Sequence, residues 1–408
     1  MEKKFVIISH VPTQAVDEGF IPKVLKKKLS IIILTDKDTC YTHLVQKYAE
    51  KVKIIHCDVY NPTSIINTLN GYQISPIAIF SNSDHLQAST SIAAEFYQLP
   101  TKSWQASQIS KNKSLMRQIL LENNLSNIWQ YTVSNYKMLN AILEKLTYPL
   151  IAKPCLGVAS IGVKKIESEL ALMTYLESYW QNNKNNTNSQ SFILLEKYIA
   201  GTIYSMETIG ARNDIHILGG FKTRLSQPPY FIETGAQWIN NFPQEINEQV
   251  LHKLRLIGVN FGSCHTEFVI NKETNKVDII EINYRSAGDQ KEFIINNIYA
   301  DHYFDTIIDL YLGEKDIKLK PKFMAAEIEY LLPTEVGVLT KTPQANFKSD
   351  NLIISSFTPL KGSGDEIKIT NSNKDYIGIL YSIGQTKKTA EAILNKEKSK
   401  LELEFNYV

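Results

Sequence analysis

The sequence predicts an α/β protein. A parallel-sheet domain opens the chain, a longer region of mixed strands and helices follows, and a smaller strand-rich part closes it. Three observations carry this reading. Short apolar, β-branched runs alternate with stretches of helical length at the amino end, which is the pattern of a parallel sheet. Later, HTEFVI and VDIIEINYR place acids inside strand-like runs on either side of NKETNK. Between these regions, IAKPCLGVASIGV sets a lysine at the mouth of a small-residue loop. A chain of 408 residues also exceeds one ordinary core, so more than one domain is expected.

Composition excludes several classes. Hydrophobic residues make up 43% and charged residues 21%, which fits a globular chain rather than a disordered one. The net charge is +2, so bulk charge argues for neither a nucleic-acid partner nor a membrane surface. No apolar run approaches a spanning length. The start, MEKKFVIISHVP, is too short in apolar residues for a secretory signal and reads as a first strand. The four cysteines, Cys40, Cys57, Cys155 and Cys264, form no CxxC pair. Free thiols in a reducing compartment are expected, hence a cytoplasmic protein.

The elements follow in order. Phe5–Ser9, Ser30–Thr35, Val52–Cys57 and Ile77–Ser81 are the expected strands of the first domain, residues 1–110, with helical segments such as Pro22–Leu29 and Tyr41–Lys51 between them. Their carboxyl ends carry His10, Asp36 and Asn82–Asp84, where such sheets bind ligands, although ordinary polar loops fit these residues better. No GxGxxG follows the first strand, so a dinucleotide site is not supported.

The second domain spans 111–320. Ser110 is expected to cap a helix from about Lys111 to Leu121, on which Lys113 and Arg117 share a face. A solvated basic face is the plainer account of that pair. Pro149–Ala152 reads as a strand, Lys153 ends it, and Pro154–Gly162 is a loop. Gly157, Ala159, Ser160 and Gly162 would let backbone amides approach an anion, and Lys153 adds a point charge. A flexible hairpin tip would look the same. No GKS/T follows, so the loop is not a Walker A loop.

Trp180–Ser191 reads as a polar, Asn-rich loop. FILLEKYIAGTIYSMETI gives two strands joined around Gly201, with Glu196, Lys197 and Glu207 as the polar insertions. HILGGFKTRLSQPPYFIETGA contains a strand bearing Lys222 and Arg224. A long charged and aromatic loop follows, of the kind that is often functional. Gln244–Ile257 is an amphipathic helix, and Ile294–Leu312 is expected as another.

In VDIIEINYR, an unpaired buried carboxylate would be costly, and a bound cation would remove that cost. Glu281, Asn283 and Arg285 are two apart and share a strand face. NKETNK reads as a hairpin turn, which would bring Glu267 beside Glu281. Together the four residues outline a site for a hard divalent ion and phosphate. Two surface strands with solvated acids compete with that account. In the last part, 321–408, AAEIEYLLP, LIISSFTPLKGSGDEI and DYIGILYSIGQT read as strands, and Thr389–Lys400 as a final helix.

Taken together, these stretches resemble the ATP-grasp superfamily, in particular its carboxylate–amine (amino acid) ligases. QLPTKSWQASQISKNKSLMR, IAKPCLGVASIGV, LLEKYIAGTIYSMET, HTEFVI, IIEINYR and PPYFIETGA carry the resemblance over nearly the whole chain. It implies a pre-ATP-grasp domain, a two-lobed grasp domain and a β-rich closing lobe. It implies ATP held by Lys113, Lys153, Gly157, Ser160 and Gly162. Glu196, Lys197, Tyr198 and Ile199 would form the adenine hinge, with Glu207 near the ribose or phosphates. Glu267, Glu281 and Asn283 would hold Mg2+ or Mn2+. Arg285, Lys222, Arg224 and Glu233 would act on the substrates.

The expected partners are a small-molecule carboxylate and an amine, with no nucleic acid and no membrane, and a homodimer left open. A nucleotide-binding sensor and a biotin-carboxylase-like enzyme are the alternatives. Tyr284 and Ser286–Gln290 stand where the family commonly has a proline and a glycine pair, and Thr101 where a glycine usually follows Leu-Pro.

Overall fold

The structure is a computed structural model describing residues 3–157, 159–183, 192–211, 214–271, 274–341, 348–349, 353–401 and 404–406. The amino-terminal domain has four strands: β1 (Lys4–Ile8), β2 (Ser30–Thr35), β3 (Val52–His56) and β4 (Pro76–Phe80). They form a parallel sheet in the order β3-β2-β1-β4, as their alternation with helices requires. Phe20, Phe80, Phe304 and Tyr311 then interlock beside it. Ring centroids lie 4.6 Å apart for Phe20–Phe80, 4.9 Å for Phe20–Phe304 and 5.1 Å for Phe80–Tyr311. This aromatic seam docks the domain on the rest of the chain, at tilted and edge-on angles favoured by ring quadrupoles.

The second sheet is small: β5 (Gln130–Val133), β6 (Leu150–Pro154), β7 (Lys164–Ile166) and β8 (Ile193–Lys197) in the antiparallel order β5-β8-β6-β7. Helix Glu169–Asn182 packs Leu172 and Leu176 against it, and Ser168 caps the helix by accepting from Ala171 N. Trp180–Asn182 are therefore helical rather than loop, and the remainder of the Asn-rich stretch, 184–191, lies outside the described residues.

At Lys197 the chain leaves this sheet and at Thr202 it enters the large one. A Cβ on Gly201 would lie 2.4 Å from Val269 Cγ1, so only glycine fits this crossing without displacement.

The large sheet contains β9 (Thr202–Ala211), β10 (Asp214–Leu225), β11 (Glu233–Ile239), β12 (Gly262–Ile270), β13 (Val277–Asn283) and β14 (Ala325–Leu331). After β15 (Gly337–Lys341), it continues through β16 (Lys348–Ser349), β17 (Ile354–Pro359) and, beyond β18 (Glu366–Ile367), β19 (Gly378–Gly384). Its order is β13-β12-β9-β10-β11-β14-β19-β17-β16. The carboxyl-terminal strands thus extend the large sheet through β11–β14 pairing. Among the described residues, β18, β15 and β20 (Glu404–Asn406) form a separate three-stranded sheet.

Two helix expectations change. Asn112, not Ser110, caps helix Lys113–Glu122, accepting from Ser114 N and Leu115 N at 3.1 Å each. A separate helix, Trp104–Lys111, precedes it. Ile294–Leu312 is also two helices, Lys291–Ile298 and Tyr303–Tyr311. Ala300 and Asp301 take left-handed φ values of 54° and 68° there, and the Asp301 carboxylate accepts from Asn296 Nδ2 at 2.7 Å. That local hydrogen bond offers an alternative to continuing the helix. Among the described residues, no helix is long and apolar enough to cross a membrane.

Beyond β13 the chain is pinned from both sides. Buried Tyr284 accepts from the Asn260 and Phe261 amides through its hydroxyl, at 3.1 Å each. Lys102 Nζ donates to the Tyr284 carbonyl at 2.5 Å. Tyr284→Phe should leave those two amides without their acceptor and lower stability by about 1–3 kcal/mol, measurable by urea denaturation.

Candidate functional site

Between the two sheets lies a cavity of about 290 Å³. Its inner end is apolar, with Ile151 from the small sheet facing Ile203, Val269 and Ile280 from the large one. The crossing residues Lys197, Tyr198 and Ile199 edge this end, and the Lys197 amide already donates to Trp129 O at 3.2 Å. Flat apolar walls beside exposed backbone suit a planar heterocycle.

The other end is ionic. On helix Lys113–Glu122, Lys113 and Arg117 are both buried rather than solvated. Lys113 Nζ donates to Glu281 Oε1 at 2.7 Å and to the Gly157 carbonyl at 2.8 Å. Arg117 reaches Glu196 at 3.4 Å and the Ile279 carbonyl at 2.6 Å. Lys153 makes a short ion pair with the same Glu196. Burial alone would push the Glu196 carboxyl up, yet Lys153 and Arg117 hold it below its ordinary range. For Lys153, burial wins and lowers the ammonium, with Glu196 opposing that shift.

The loop after Lys153 turns back through left-handed residues at Ala159, Ser160 and Gly162. Gly157 and Ser160 line the cavity, while the Gly162 carbonyl accepts from Tyr175 at 2.6 Å on the far side. Val158 lies outside the described residues.

The expected hairpin is present, and Glu267 and Glu281 are direct cross-strand partners on β12 and β13. Like charges so placed repel. His265 lies on the same face as Glu267, with its ring nitrogens 3.2 Å from Glu267 Oε1 and 2.6 Å from Glu207 Oε1. Burial disfavours its charge, but the Glu207 contact outweighs burial and raises its pKa to about 10. Glu267 is pushed up by burial but drawn down to about 2 by His265.

The two carboxylates are a fit donor set for a hard divalent ion. Among the described residues, no group of three or more His, Cys, Asp or Glu side chains could hold a metal alone. Phosphate and water oxygens would therefore complete the shell, as is usual for Mg2+.

Other expected residues fall elsewhere. Lys222 and Arg224 are not in the cavity. Strand alternation directs Thr223 and Leu225 inward and these two outward, where Arg224 meets Glu327 at 2.8 Å. Their expected action on substrate is therefore withdrawn. Glu207 is buried against His265 and Ser205 and does not line the cavity, so nothing in this arrangement supports the ribose or phosphate contact expected of it. Asn283 is buried, and its side-chain Oδ1 accepts from Arg285 Nη2 at 3.3 Å. Arg285 is anchored by Asp84 at 2.6 Å, and the Ser286 hydroxyl donates to Asn82 at 2.7 Å. The polar loop of the first domain thus sets the end of β13.

Glu233 lines the cavity, and its carboxylate takes a 2.7 Å bond from buried Lys291. Burial raises the Glu233 carboxyl despite this cation. Lys291 and Arg117 were missed as site residues. Arg117 lies one helical turn from Lys113, so its periodicity was readable, but Lys291 sits in an unremarkable run, QKEF.

Residues 146–292 match the family model of the ATP-grasp domain. The chain carries an ATP-grasp domain. The D-alanine–D-alanine ligase of Prochlorococcus marinus is 23% identical over 196 residues, which are 43% of this chain and 53% of that protein. The chain spans about half the length of the curated ligases of this name that it matches first. The L-amino acid ligase of Bacillus licheniformis superposes with a TM-score of 0.78 at 17% identity, over 99% of both chains. The biotin carboxylase domain of the Hydrogenobacter thermophilus 2-oxoglutarate carboxylase, solved with MgADP and bicarbonate, gives 0.73 at 13% identity, over 99% of this chain and 91% of that one. These likenesses establish the ATP-grasp fold across the chain.

Glu292 is buried next to Lys291, and its Oε2 has no hydrogen-bond partner. Burial pushes its pKa up to about 8 from 4.5. The folded protein therefore holds this proton more tightly than the unfolded chain does. Its contribution to stability is complete below pH 4.5 and is lost as pH rises through about 8. Glu292→Gln should flatten that decline, giving a smaller drop in denaturation midpoint between pH 5 and pH 8 than the native protein shows.

Proposed function

We propose that this protein is an ATP-dependent carboxylate–amine ligase that joins its substrates through an acyl phosphate and releases ADP and phosphate. The observation that carries this reading is the convergence in one cavity of three kinds of group. Lys113 and Lys153 stand beside the small-residue loop, Glu267 and Glu281 face each other, and Glu233 lies beyond them. The ligase relatives favour it over a nucleotide sensor. The apolar end takes adenine against Lys197–Ile199. Lys113, Lys153 and the Gly157–Ser160 backbone take the phosphates. Glu267 and Glu281, with Asn283 behind them, hold Mg2+ or Mn2+, which when bound neutralises phosphate charge.

Catalysis by these residues is mainly positioning and charge stabilisation. A substrate carboxylate oxygen attacks the γ-phosphorus, and the bond to ADP breaks. Arg285, held by Asp84, orients that carboxylate. The amine nitrogen then attacks the acyl carbon, and phosphate leaves with the carboxylate oxygen. Glu233, whose carboxyl is raised by burial, is suited to receive the amine proton. An amino acid is the substrate class we favour, in peptide-like or secondary-metabolite synthesis, by a cytoplasmic enzyme.

ADP release against amino acids and small polycarboxylates would identify the pair. With that pair in hand, a substrate carboxylate carrying heavy oxygen should transfer label to inorganic phosphate. Label in AMP, or pyrophosphate among the products, would mean adenylation instead. Glu281→Gln should abolish metal-dependent turnover while leaving the circular dichroism spectrum unchanged. Retained activity would remove Glu281 from the metal site.

A further inference from the structure

We propose that Asn373 is a positioning residue that latches the loop after Lys153 to the start of β11 at Glu233, so that closure over the nucleotide and ordering of the acceptor side occur together. It belongs to the carboxyl-terminal lobe, to which the sequence assigned no role. Its backbone amide donates to the Ala159 carbonyl at 3.2 Å. Its side-chain oxygen accepts from the Glu233 amide at 3.1 Å. One residue therefore bonds to the loop after Lys153 and to the start of β11, and through Glu233 it reaches Lys291.

The turn that presents Asn373 is rigid. Ser372 and Asp375 form a capping box around the short helix Asn373–Asp375. Buried Asp375 also accepts from the Thr370 amide at 2.9 Å. Immediately after it, Tyr376 stacks on Tyr330 from β14, with ring centroids 4.5 Å apart and planes 8° from parallel. The turn is thus bound to the large sheet, and Asn373 extends from a fixed base. A second bond, from Lys165 N to the Pro229 carbonyl at 3.0 Å, joins β7 to the loop between β10 and β11, the acceptor loop of the proposed reaction. The small sheet, the acceptor loop and the terminal lobe meet at this corner.

A linkage of this geometry has a chemical purpose in the proposed reaction, on which the inference rests. An acyl phosphate exposed to water is hydrolysed. Coupling the phosphate loop to the acceptor loop would withhold the closed arrangement until both sides are in place.

The test is hydrogen exchange with a non-hydrolysable ATP analogue and Mg2+, read over peptides covering Ala159–Ser160 and Glu233–Gly235. In the native protein, the analogue should slow exchange at both. Asn373→Ala keeps the backbone bond to Ala159 but removes the acceptor for Glu233. The analogue should then protect Ala159–Ser160 alone, with Glu233 exchanging about three- to tenfold faster, the range that one neutral hydrogen bond carries. Asn373→Asp keeps an acceptor oxygen and should restore the coupling. In turnover, Asn373→Ala should raise the ADP released per amide formed, and Asn373→Asp should return it toward one.

Protection of both peptides in Asn373→Ala, equal to the native protein, would overturn the latch. So would protection of Ala159–Ser160 alone in the native protein, with the nucleotide reading intact. No protection at either peptide in the native protein would overturn the nucleotide reading and the latch with it. A melting temperature equal to the native value separates these outcomes from misfolding.

Discussion

Glu267 and Glu281 oppose each other on adjacent strands, and much of the surrounding structure answers that repulsion. A like-charged pair on a ladder is unfavourable unless cations stand close. Lys113 reaches Glu281 from helix Lys113–Glu122, and His265 meets Glu267 from the same strand. Lys291 enters from helix Lys291–Ile298, bonded to Glu233 and close enough to Glu267 to lower its pKa. The carboxylates therefore draw cations from elements far apart in sequence. In the proposed function, a metal ion and a triphosphate would bring opposite charges to the same two groups, so ligand binding there would be an exchange of partners rather than burial of new charge.

The amino-terminal sheet was legible because parallel strands buried on both faces read as continuous β-branched runs. The β12–β13 hairpin was legible because its turn and its paired acids fix the register. Helix Gln244–Ile257 was found with its full extent, since Gly258 closes it in a left-handed conformation. The break at Tyr299–His302 was not legible. Hydrophobic periodicity runs on through it, and the interruption depends on left-handed Ala300 and Asp301. The continuation of the catalytic sheet into the last part of the chain was also hidden, because the β11–β14 pairing spans many residues that sequence patterns do not connect.

Within the site, residue type was easier to read than direction. Lys222 and Arg224 carry suitable charge, but the period-two rule turns them away from the cavity once Thr223 and Leu225 face it. Glu207 was recognised as an odd acid in a strand, and it does answer to a charge, that of His265 rather than a ligand. The basic face of Lys113 and Arg117 looked solvated because their partners, Glu281 and Glu196, are remote in sequence. Asn82 and Asp84 looked like plain loop residues for the same reason. The partners that settle each role come from the other side of a cleft, and a single sequence does not display that pairing.

The Lys153–Glu196–Arg117 cluster bears on why the cleft is built from charge. Each member is buried, and removing charges from water costs several kcal/mol per ion by general estimates. A well-packed apolar trio would give comparable stability, so stability alone does not account for the cluster. Its geometry supplies another reason. Burial weakens the Lys153 ammonium, and Glu196 opposes that loss while Arg117 neutralises the second carboxylate oxygen. Glu196 is thus held as an anion, and Lys153 is fixed at the mouth of the phosphate loop. A lysine in open solvent would keep its charge without such help but would be free to sample many rotamers. The ionic cluster exchanges that freedom for a defined position, which the phosphoryl transfer proposed above would require.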